Sequence, residues 1–158
     1  MNCSLKKLLK EFHIGAINGF IFGFSATLIV TLFFKLAVLF KLRQFEPSPF
    51  AYVNYIITAA VFLITAGLSK IITRLLFSKI QNIYIEWQIV GVVTNILLYL
   101  FILAENTFDY LTTETIDYRY TFVESLNIYF WLVMLLIISA YNLLFAFAIK
   151  FMKGKNQA

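Results

Sequence analysis

The stretch IGAINGFIFGFSATLIVTLFF, residues 14–34, carries no charged side chain. As a helix it is long enough to cross ~30 Å of hydrocarbon, which takes ~20 residues. Three more uncharged, apolar stretches follow at 51–68, 87–104 and 126–149; each of the four is about 18–24 residues, the length of a spanning helix. The composition agrees, with 61% hydrophobic and 13% charged residues and a mean hydropathy of +0.85. A soluble domain of 158 residues could not hide that much apolar surface, so the bilayer is expected to be the solvent. The predicted fold is all-α: one polytopic domain over 1–158, its four transmembrane helices gathered in a compact bundle.

The basic residues predict the orientation. Nine of the 13 Lys and Arg fall in the amino-terminal arm (Lys6, Lys7, Lys10), the second connection (Lys70, Arg74, Lys79) and the tail (Lys150, Lys153, Lys155). With four spans these regions share one side, and Lys35, Lys41, Arg43 and Arg119 fall on the other. Lys and Arg mark the cytoplasmic side, which puts both termini in the cytoplasm, and a bacterial inner membrane is the expected location. The net charge of +5 is then a signature of topology, and no basic domain is left to bind nucleic acid.

Ahead of the first span, Leu5, Leu8, Leu9 and Phe12 share one helical face and Lys6, Lys7 and Lys10 the other. Two readings of this arm, 1–13, stay open: an amphipathic helix lying in the interface with its lysines at the headgroups, or an ordinary positive flank. The span after it reads as a retained helix, because its apolar run is too long for a cleaved signal and no small-residue cleavage site follows before Lys35.

In lipid, helices gain little from burying apolar groups on one another, so small and polar residues mark the faces that pack. Gly15, Gly19 and Gly23 recur every four residues, and Ala26 continues the stripe. It predicts close helix contact, with the partner helix in this chain, a second copy or another protein. On the second span Asn54, Thr58, Thr65 and Ser69 fall within roughly 60° of helical arc. Gln88, Gly91, Thr94 and Asn95 form a similar stripe on the third span, and Ser139, Asn142 and Ala146 on the fourth. Asn95 and Asn142 each lie about eight residues, or ~12 Å, from the cytoplasmic end of their helices. A hydrogen bond between them and separate bonds to neighbouring carbonyls both stay open. Tyr84 and Trp87 at the inner boundary, and Tyr52, Tyr55, Tyr129 and Trp131 at the outer one, are expected to anchor the interfaces. The 18 Phe residues read as lipid-facing bulk.

Candidate chemistry is sparse. The spans hold no ionisable group at mid-depth, where such groups mark ion paths and proton relays. Lys35 follows the first span and can snorkel, and Glu86 is expected to pair with the basic residues of the inner connection. The single Cys, Cys3, allows no internal disulfide, and the single His, His13, has no nucleophile or metal-ligand partners nearby. No catalytic site, metal or cofactor is expected. The outer connection, 105–125, is the long region with character. Its Asp109, Glu114 and Asp117, with Arg119, Tyr118 and Tyr120, form a candidate partner-binding loop. Ile116, Tyr118, Tyr120 and Phe122 alternate with polar residues as in a strand, with Phe108 and Tyr110 continuing the pattern. A solvated acidic loop is the other reading.

This layout resembles the small immunity proteins that protect bacteria from pore-forming colicins of the A and B type. The local similarities are Thr73-Arg74 in the inner connection, Leu111-Thr112-Thr113 in the outer loop and the tail Ile149-Lys150-Phe151-Met152-Lys153-Gly154. The resemblance implies four inner-membrane helices with both termini inside, and recognition of a toxin's membrane-inserted hairpin before its pore opens. An accessory subunit or assembly factor of a larger membrane complex, or a small channel or carrier, remain as alternatives. Membrane lipid and another membrane-inserted protein are the expected partners in the first two cases.

Overall fold

The computed structural model describes residues 5–40, 49–112 and 127–155. Four α-helices account for nearly all of them: α1, Leu5–Leu39; α2, Pro49–Leu76; α3, Ile83–Thr112; and α4, Ile128–Lys155. Among the described residues there is no strand. Each helix contains a segment long and apolar enough to cross a membrane: Leu5–Phe33, Ile56–Leu76, Ile83–Glu105 and Ile128–Met152.

Local chemistry explains where the helices start. Pro49 opens α2 at the first helical position, where its missing N–H costs nothing. Asn82 caps α3, its Oδ1 accepting from the N–H of Tyr84 at 2.9 Å and of Ile85 at 3.4 Å. Asn127 does the same for α4, with Tyr129 N–H at 3.0 Å and Phe130 N–H at 3.4 Å. Both caps satisfy amides that the first helical turn leaves without carbonyl partners. Arg74 in the last turn of α2 and Glu86 in the first turn of α3 each match the sign that the helix dipole favours.

The helices overrun the spans. The 35 residues of α1 rise ~52 Å, well beyond ~30 Å of hydrocarbon. The arm from Leu5 and the apolar span are therefore one continuous helix. At its other end α1 passes Lys35 and stops at Leu39. Likewise α3 continues past Ala104 to Thr112, so residues 105–112, including Phe108 and Tyr110, are helical and not strand or loop. Polar residues end a hydrophobic run without ending a helix. Residues 113–125 of the outer connection lie outside the described residues.

Contacts group the chain into two compact units, Met1–Ile71 and Ile72–Ala158. The first is built on α1 against α2. Its closest approaches pair Gly15 with Ala66, Gly19 with Phe62 and Gly23 with Ala59, so the helices run antiparallel. The second is built on α3 against α4, also antiparallel, with Trp87 beside Phe145 and Tyr99 beside Trp131. Trp87 is 1% exposed and Trp131 8%. Both are core residues of that pair, a correction to their expected role as interfacial anchors. Tyr129 is exposed, and Tyr84 lies under the Lys150 ammonium, 5.3 Å from its ring centre.

Candidate functional site

Three glycines determine how α1 meets α2. A Cβ added at Gly15 would fall 2.5 Å from the Ala66 carbonyl oxygen, and one at Gly19 would overlap the Phe62 carbonyl oxygen. One at Gly23 would come within 2.9 Å of Ala59 Cα. The backbones touch along this line because nothing projects from α1 there, the close approach that small residues permit in lipid. Gly67 on α2 is the reciprocal case, its face filled by the Phe12 ring of the arm. The Phe22 ring then packs edge-on against Phe62, with centres 4.9 Å apart.

The stripe begins one turn earlier than glycine spacing alone shows. Glu11 is four residues before Gly15, and its Oε2 lies 3.7 Å from Lys70 Nζ on α2. Lys70 is 4% exposed. Lys70, expected in the second connection, instead lies on α2, and Glu11 is a contact that the glycine spacing does not reveal. The available signal was register, since a carboxylate at i−4 from the first glycine faces the same neighbouring helix.

Between α3 and α4 the contacts are more polar. Gln88 Nε2 donates to the Ser139 carbonyl at 3.0 Å, and Ser139 Oγ donates back to Gln88 Oε1. Gly91 leaves the space into which the Asn142 amide fits, 2.7 Å from where a Cβ would stand. Asn142 is thus level with Gly91, about one helical turn from Asn95. Asn95 Nδ2 donates instead to the Trp131 carbonyl at 3.4 Å, and its Oδ1 has no hydrogen-bond partner among the described residues. The direct Asn95–Asn142 bond is not formed. A double-mutant cycle on Gln88→Leu and Ser139→Ala should return a coupling of about 1 kcal/mol, within the range known for intramembrane bonds. The same cycle on Asn95→Leu and Asn142→Leu should be additive; detergent-titration midpoints read both.

The hydroxyls of the stripes mostly turn inward on their own helices. Thr65 Oγ1 donates to Val61 O at 2.8 Å, Ser69 Oγ to Thr65 O at 2.6 Å and Thr94 Oγ1 to Val90 O at 2.7 Å. Such back-bonding lets a hydroxyl sit in an apolar interface without a cross-helix partner. Thr58 is exposed on α2. Of the candidate outer-loop residues, Asp109 falls on the last turns of α3, whereas Glu114, Asp117, Tyr118, Arg119 and Tyr120 lie outside the described residues.

The described residues hold no group of three or more His, Cys, Asp or Glu side chains that could bind a metal. His13 is exposed, and its Nδ1 lies 2.6 Å from the Leu9 carbonyl of its own helix. The fold is all-helical, with four helices long and apolar enough to cross a membrane that pair, among the described residues, through glycine, amide and ion-pair contacts. No known protein family, curated protein or solved structure matches the chain.

Proposed function

We propose that this chain acts by recognising another membrane-inserted protein inside the bilayer. Specifically, it is an immunity or exclusion protein of a bacterial inner membrane, with both termini cytoplasmic, that binds the inserted hairpin of a pore-forming toxin. The observation that carries this reading over an accessory subunit is the fate of the glycine stripe. Gly15, Gly19 and Gly23 are occupied by α2 of the same chain, so the strongest helix-packing surface does not wait for a foreign helix. A chain whose helix pairs are closed internally suits a protein that must stand alone until an attacker arrives. The exposed apolar faces of α1 and α4, including Ile29, Phe33, Leu136 and Leu144, remain for lipid or for the intruding helices. The acidic outer connection would meet a basic part of the same partner.

The test is expression in a toxin-sensitive strain, with membrane potential followed by a fluorescent dye. Cells carrying the chain are expected to stay polarised under a pore-forming toxin that collapses the potential of control cells. Equal depolarisation across a panel of such toxins, together with recovery of the tagged chain in fixed stoichiometry with other subunits, would replace this reading by the accessory-subunit one.

A further inference from the structure

Beside the line of glycine contacts, residues 20–31 of α1 and 56–63 of α2 border an open cleft of about 570 Å³. Phe20 and Phe24 form one wall, with rings stacked 5.9 Å apart and 14° from parallel. Ala59, Ala60 and Leu63 of α2 form the other. Thr27 and Thr31 also reach the cleft, but Thr27 Oγ1 donates to Phe24 O and Thr31 Oγ1 to Thr27 O, each at 2.8 Å. Their hydroxyl protons are spent on α1 itself, so the lining asks for hydrocarbon and not for a polar ligand.

Lys35 supplies the polar end. It is exposed and stands one turn beyond Thr31, at i+4 on the same helical face. From Phe20 to Lys35 α1 rises ~22 Å, which matches one leaflet with its headgroup layer, ~20–22 Å. We infer that the cleft between α1 and α2 holds one acyl chain of an anionic phospholipid whose phosphate sits at the Lys35 ammonium. The lysine stem runs along the apolar mouth while its head stays at the polar layer.

The experiment uses the full chain in bilayer discs of equal phosphatidylglycerol and phosphatidylcholine, extracted gently and weighed by native mass spectrometry. One retained lipid per chain is expected, with phosphatidylglycerol favoured about five-fold, the effect of one lysine at an anionic surface. Ala60 is exposed, so Ala60→Phe fills the cleft without disturbing the glycine contacts and should abolish retention while helicity is unchanged. Lys35→Gln should keep the lipid and lose the headgroup preference. Wild-type protein without lipid, or Ala60→Phe protein retaining as much as wild type, overturns the assignment. So does a photoreactive residue replacing Leu28 that cross-links in native membranes to protein, a second copy or a foreign helix, instead of to lipid.

Discussion

Gly19→Ala is expected to cost about 3 kcal/mol, the upper end of what overpacking a tight contact costs, and to loosen the α1–α2 pair more than any other single methyl added to the chain. The reason is what the methyl meets. At Gly19 it would overlap the carbonyl oxygen of Phe62, and the Ala66 Cβ would stand 2.7 Å away. A helix backbone carbonyl cannot step aside without moving the helix, so the two axes must separate along the whole stripe. Gly15→Ala should follow closely, since Ala66 O would lie at 2.5 Å. Gly67→Ala should be milder although its nearest contact is also 2.5 Å, because that contact is the edge of the Phe12 ring, which can swing. Gly23→Ala, with Ala59 Cα at 2.9 Å, should cost about 1 kcal/mol, the low end of the same range. Pyrene labels at positions 28 and 56, both bordering the cleft, would report separation as lost excimer emission during a titration with dodecyl sulfate, in a Cys3→Ser background. Equal midpoints for Gly19→Ala and Gly67→Ala would show that side-chain repacking, and not backbone contact, sets the strength of this pair.

How much of this was legible in the sequence follows from what each signal measures. Hydropathy found the four spans because lipid leaves the backbone little choice but helix. It did not find the helix ends, because it measures the length that must be apolar; Glu105 and Asp109 end the apolar run without ending α3. The period of four marked the face of α1 that packs, but not its neighbour, since Ala59, Phe62 and Ala66 form no pattern that sets α2 apart. For Trp87 and Trp131 residue type misled: an indole suits a headgroup layer and equally fills the space beside Phe145 or Tyr99. The two asparagines show the limit of counting from helix ends. Equal depth assumed equal stagger, whereas the vacancy at Gly91 draws in Asn142 and sets the register about one turn away. Charge counting treated Lys70 as a topological marker, when its place on α2 made it a buried ion-pair partner.

That pair gives the second large effect. Lys70→Met is expected to destabilise the first unit by about 3 kcal/mol, the lower end of the cost of breaking a buried ion pair, because Glu11 keeps 17% side-chain exposure and part of its hydration. The choice of methionine matters. Lys70 Cβ stands 2.7 Å from where a Gly15 Cβ would be, so the lysine stem is itself part of the glycine contact, and truncation to alanine would mix lost packing with lost charge. Methionine retains an unbranched apolar stem and removes the ammonium, leaving the Glu11 carboxylate facing α2 without its 3.7 Å partner. Adding Glu11→Leu should then restore most of the loss, since an apolar pair in place of a buried ion pair is often neutral or better. Added salt should change the wild-type midpoint little, because a pair this enclosed is weakly screened. If Lys70→Met alone is silent while Lys70→Ala is not, the residue acts through its stem, and the ion pair contributes nothing to the α1–α2 contact. If Lys70→Met is costly and the double variant recovers, the charge serves specificity more than strength: it rejects registers in which Glu11 would slide past Lys70, and so holds the glycines against the carbonyls they approach.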